Sequence, residues 1–111
     1  MKKIAIPVKG DGLSTHFGHA DHYMIYEIED GKIINQLSLI PPTHAPGIIP
    51  TWLSEINVNV VIAGGIGQRA VDLFNAKGID VISGARLLDP PQLINLYLKG
   101  NLESGMNLCD H

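Results

Sequence analysis

The sequence predicts an α/β fold built on a mixed five-stranded sheet, and three observations predict it. Residues 2–8 and 58–63 are short apolar runs rich in Ile and Val, too short for buried helices and too apolar for half-exposed strands, as in parallel sheets covered on both faces. Residues 23–29 and 32–40 are strand-like runs separated by Asp30-Gly31, residue types that accept the positive φ of a tight hairpin turn. From residue 48 onward, apolar residues at helical spacing alternate with strand-like runs, the pattern of βαβ units.

Each element follows from local chemistry. The first strand, residues 2–8, ends at Lys9-Gly10, and the polar, Gly-rich stretch 9–22 with three histidines reads as a long loop. The hairpin comes next and is broken by Pro41, Pro42, Pro46 and Gly47. Ile48, Ile49, Trp52, Leu53 and Ile56 then recur at helical spacing, with Pro50 in the first turn, where its missing N–H is harmless. Residues 58–63 form the fourth strand. Ala70, Val71 and Phe74 lie on one face of a second helix that Gly78 closes. Residues 79–82 form the fifth strand. Asp89-Pro90 reads as an N-cap followed by proline at the first helical position, and Leu93, Ile94, Tyr97 and Leu98 form the stripe of a third helix ending at Gly100. With right-handed crossovers, strand one lies between the hairpin and the βαβ unit. The expected sheet order is 3-2-1-4-5, with strand 2 antiparallel.

Composition narrows the function. A chain of 111 residues is expected to form one domain over residues 1–100, with residues 101–111 as its tail. The 45% apolar and 17% charged residues suit a packed core rather than a disordered chain. A formal charge of -3 with scattered Lys and Arg leaves no basic stripe for nucleic acid. No run is long enough for a membrane span or a signal peptide's apolar region, and the single Cys109 permits no internal disulfide, so a reducing cytoplasm is expected. Hydrolytic and phosphoryl-transfer motifs are missing, and residues 2–8 hold no acid, which argues against phosphodiester cleavage and against an enzyme.

Open α/β sheets bind ligands beyond the carboxyl ends of their parallel strands, where connections diverge. That crevice falls between strands one and four, where loops 9–22, 64–69 and 84–88 would meet. The first loop carries His16, His19 and His22, imidazoles suited to a soft or borderline metal, although solvated loop histidines share that spacing. Cys109 and His111 end a tail that reaches roughly 35 Å when extended, and His44 follows strand three. Gly65-Ile66-Gly67-Gln68-Arg69-Ala70 has the G-x-G-x-x-A spacing of dinucleotide sites, without an acid at the tip of the next strand. Exposed N–H groups beside Arg69 would still favour an anion, and close strand-to-helix packing is the alternative reading.

Taken together, His16-Phe17-Gly18 after a Gly/Ser loop, the aromatic run 23–26, Val60-Val61-Ile62-Ala63-Gly64-Gly65-Ile66-Gly67-Gln68-Arg69-Ala70 and Gly78-Ile79 carry a resemblance. Over residues 1 to about 100, the chain resembles the dinitrogenase iron-molybdenum cofactor biosynthesis family, the NifX, NafY and NifB C-terminal group. The resemblance implies a ribonuclease H-like fold without nuclease activity. It also implies a non-enzymatic protein that binds or carries an iron-sulfur or molybdenum-containing cluster, molybdenum-iron or molybdenum-copper sulfide, between donor and acceptor proteins. His16 would be the cluster ligand, with Phe17, Gly18, Gly65, Gly67 and Arg69 lining the site. His44, Cys109 and His111 are candidate further ligands, and His19 and His22 secondary ones. An anion or nucleotide sensor using Gly65, Gly67 and Arg69, or a zinc-binding interaction module, stands as the alternative.

Overall fold

The computed structural model describes residues 2–10, 12–13, 20–42, 48–83 and 90–100. They form nine elements: β1 (Lys2–Lys9), β2 (Gly12–Leu13), β3 (His22–Glu29), β4 (Lys32–Leu39), α1 (Ile48–Glu55), β5 (Val60–Ile62), α2 (Gln68–Ala76), β6 (Asp80–Ile82) and α3 (Pro90–Leu98).

The sheet runs β4-β3-β1-β5-β6, and this is the expected order 3-2-1-4-5 once β2 is set aside. β3 pairs antiparallel with both β1 and β4, whereas β1, β5 and β6 are parallel. The expected hairpin turn is present: Asp30 and Gly31 sit at φ 53° and 75°, the left-handed pair that matches strand twist. The strand expected over residues 58–63 is confined to Val60–Ile62, and two stretches read as loop are strand. Gly12–Leu13, read as loop, pairs with Lys9 and Val8 as a two-residue strand, too short to leave a periodic trace. His22, also read as loop, opens β3 opposite Val8.

Strand alternation divides the core in two. Ile4, Ile6 and Val8 of β1 face one way with Tyr26 and Ile28 of β3 and Val60 and Ile62 of β5, and Leu93 and Ile94 of α3 cover them. Ala5, Tyr23, Ile25 and Val61 face the other way, beneath Ile49 and Leu53 of α1 and Phe74 of α2. Helices therefore lie on both faces, in three layers, and β1 and β5 are buried on both. Side chains tie the helices down. Lys3 Nζ donates to Ile56 O just beyond α1 at 2.9 Å, and Lys2 Nζ donates to Tyr97 Oη of α3 at 3.1 Å.

β4 is an edge strand exposed over most of its length, only its last residue Leu39 packing on the layer beneath α1; Ile34 is 53% exposed, and Ile40, just beyond the strand, 83%. Its register against β3 slips between Glu27 and Ile28, a bulge. Next to it, the Asn35 side chain accepts the N–H of Gln36 at 2.9 Å and donates to Glu27 at 2.8 Å. No described helix is long and apolar enough to cross a membrane.

Candidate functional site

The crevice expected from topology exists as a strand arrangement. β1 and β5 are direct neighbours, Ile4 opposite Val60 and Ala5 opposite Val61, and their connections diverge. After β1 the chain turns back through β2 to the antiparallel side of the sheet. After β5 it passes through Gly64 and Gly65, both buried, and Ile66, fully buried, into α2 over one face. The exits of both strands therefore share one end of the sheet, as open α/β folds require for a binding crevice.

The stem of the histidine loop is fastened at that end. Val8 and Lys9 pair with Leu13 and Gly12. On the return side, Asp21 N–H donates to Val8 O at 2.8 Å, and Asp21 Oδ2 accepts the N–H of Gly10 at 2.9 Å. Both ends of the loop thus meet at the end of β1, and His22 follows Asp21 directly as the first residue of β3. His16, Phe17, Gly18 and His19 fall outside the described residues, as do His44, Cys109 and His111.

Gly67 is the N-cap of α2 with φ −71° and ψ 152°, an extended geometry open to any residue. A Cβ placed there meets nothing within 4 Å. Close strand-to-helix packing therefore does not account for glycine at 67. With no side chain to cap the helix, the first-turn N–H groups of α2 have no capping partner from residue 67. Arg69, exposed in that first turn, adds positive charge where the macrodipole is already positive. At the tip of β6, Ile82 is followed by Ser83, so the carboxylate a dinucleotide ribose would need is absent there among the described residues.

Cavities lined by described residues lie at both ends of the sheet. One, of about 330 Å³, lies on the α3 face beside the stem of the histidine loop, between His22, Met24 and Tyr26 of β3, Gln36 of β4 and the Pro90-Pro91 start of α3. A wider one, of about 540 Å³, opens at the opposite end of the sheet between Lys2, Glu29, Asp30 and Tyr97, away from the converging connections. Counting only His, Cys, Asp and Glu, the described residues hold no group of three or more that could grip a metal. Sequence reasoning named His22 as a secondary ligand; the structure sets Met24, two residues along the same strand, beside it in the lining of the smaller cavity.

Comparison with known proteins narrows the identity. A relative from Methanocaldococcus jannaschii, an uncharacterized protein, is 35% identical over 109 residues, spanning 93% of this chain and 91% of its own. The crystal structure of PH0822 superposes with a TM-score of 0.86 at 28% identity, covering 92% of this chain and 93% of that one. The apo form of the orange protein from Desulfovibrio gigas shares the fold, with a TM-score of 0.79 at 20% identity over 96% of this chain and 95% of that one. Residues 1–100 match the family model described as dinitrogenase iron-molybdenum cofactor, and the chain belongs to that family.

Proposed function

We propose that this protein binds and carries a sulfide-bridged metal cluster, iron-sulfur or molybdenum-containing, in cofactor biosynthesis or cluster trafficking, and catalyses no reaction of its own. The observation that carries the reading is the adjacency of β1 and β5: it brings the clamped stem of the histidine loop and the uncapped start of α2 to one end of the sheet. Family membership supports the class of cargo.

The chemistry is consistent with such cargo. A cluster with sulfide ligands is anionic, and the first turn of α2 with Arg69 offsets a chain whose formal charge is -3. His16 stands three residues along the chain from Leu13, on the loop whose two ends are fixed, and supplies a neutral imidazole to an open metal position, with Phe17 and Gly18 beside it. His44, Cys109 and His111 are the further ligands in this reading, and His19 and His22 the secondary ones. Few protein ligands suit a carrier, which must release what it holds.

The reading extends to a ribonuclease H-like fold for a single domain of residues 1–100 with a short tail, working in the cytoplasm with a cluster donor and an acceptor protein and without nucleic acid. The three layers and the strand order support the fold name. Anaerobic reconstitution with iron, sulfide and molybdate tests the function. Stoichiometric metal with a visible absorption band is expected for the parent, and reduced loading for His16→Ala. Equal metal content in the two proteins would remove His16 from the site, and a colourless, metal-free parent would remove the carrier role.

A further inference from the structure

We propose that His22 and Met24 together bind a single soft univalent metal ion, Cu(I) in a reducing medium, in the groove between β3 and the start of α3. This site goes beyond the cluster-carrier reading: it needs neither the cluster nor His16, and of the residues in that reading it uses only His22, which belongs to β3.

Residues two apart on a strand point to the same side, and their Cα atoms lie about 6.6 Å apart. Register fixes which side that is. His22 stands opposite Val8 and Met24 opposite Ile6, and Val8 and Ile6 both belong to the core layer under α3. Both side chains line the same cavity of about 330 Å³. An imidazole nitrogen and a thioether sulfur on side chains that leave the same face of one strand and line one cavity can approach a shared metal from two sides.

The donor set decides the metal. Thioether sulfur is a soft ligand that selects Cu(I), and imidazole accompanies it well. Hard cations such as Mg²⁺ and Ca²⁺ require oxygen ligands, and none of the described residues lining this groove is Asp or Glu. The neighbouring carboxylate of Asp21 is engaged by Gly10 N–H. Met24 is half-buried and packs on the core beneath α3, which fixes the sulfur's stem, while His22 is half-exposed at the rim and open to an arriving ion. A low-coordinate univalent ion fits two such donors, because it needs no third or fourth ligand from the protein.

Ag(I), a redox-inert probe with the same ligand preference, gives the test. It is titrated into the full-length Cys109→Ser protein, so that the thiol does not compete, while NMR follows the Met24 methyl group and the His22 ring. Both signals are expected to move together and saturate at one equivalent, and His22→Ala and Met24→Leu are each expected to weaken binding at least tenfold while keeping the parent's amide spectrum. A Met24 methyl signal unmoved at one equivalent, or parent-like affinity in either variant, would overturn the site. Because the probe is the metal ion alone, a failed cluster reconstitution leaves this result unaffected, and the reverse also holds.

Discussion

Asp21 Oδ2 accepts the backbone N–H of Gly10 at 2.9 Å, across eleven residues of chain, and so closes the base of the loop that carries the His16-Phe17-Gly18 motif. The same residue's N–H reaches back to Val8 O at 2.8 Å, making one aspartate the fastener of both loop ends.

Removing that carboxylate leaves the backbone contact but frees the Gly10 amide. Asp21→Ala is expected to cost about 0.5–1.5 kcal/mol, the worth of one exposed hydrogen bond, and to speed hydrogen exchange at Gly10 without changing the β1–β3 amides. Chemical denaturation and native-state exchange measure both. Unchanged exchange at Gly10 would mean that the contact does not hold the loop in solution.

Phe74 is the one residue of α2 that is buried, fully so, beneath the layer that also contains Leu53 and Ile79. Phe74→Ala is expected to destabilise by about 3–5 kcal/mol, a large part of a small domain's total. Asp72, exposed on the same helix and accepting Gln68 Nε2 at 2.8 Å, provides the contrast: Asp72→Ala is expected to cost no more than about 0.5 kcal/mol. Urea denaturation midpoints of the two variants make the comparison.

Two glycines flank α2 and are expected to behave differently. Gly67 has an ordinary φ and open space where a Cβ would go, but it is the N-cap, where alanine is poorly suited; the lower entropy of the unfolded alanine chain and the poorer cap oppose each other, so Gly67→Ala should change stability by no more than about 0.5 kcal/mol. Gly78 sits at φ +76° just past the helix, so Gly78→Ala should cost about 1–2 kcal/mol despite equally open surroundings. Thermal melting distinguishes them. Because Gly67 is also proposed to line the cluster site, any loss of loading in Gly67→Ala would act through binding and not through folding.

Burial pushes the Tyr23 hydroxyl well above the ordinary tyrosine value, because the phenolate would lose its hydration in the core. The unfolded chain titrates this group near 10, so above that pH the unfolded state gives up a proton that the folded state keeps. Stability contributed in this way is complete below about pH 10 and declines as pH rises through and beyond it. Denaturation midpoints measured from pH 8 to 12 should fall more steeply for the parent than for Tyr23→Phe. Parallel curves would show that Tyr23 ionises as readily in the folded protein as in the unfolded chain.

Much of the fold was legible because each element carried its own signal. Asp30-Gly31 announced the hairpin and has the φ values it needs; the apolar run around Val60-Val61-Ile62 announced a strand covered on both sides; Pro50 and Pro90 sit in first helical turns, as their missing donors allow. What was not legible lacked a repeating pattern. Two residues, Gly12 and Leu13, are too few for strand alternation, and only the pairing partner makes them a strand. His22 was grouped with the loop histidines by residue type, when its alternation with Tyr23 and Met24 already belonged to β3. The candidate site was legible as a location: strand order alone put the ends of β1 and β5 together. The ligand roles of His16, His44, Cys109 and His111 rest on residue chemistry and family resemblance, as these positions fall outside the described residues.

The slip in β4 has a colloidal consequence. A largely uncovered strand eight residues long, with isoleucines turned outward, is a template on which a neighbouring molecule could lay down its own backbone. Ile34 bulges out of step and the Asn35 amide takes up the Gln36 N–H, so the ribbon of donors and acceptors is interrupted near its middle. Fibre growth from that side would have to begin by breaking both.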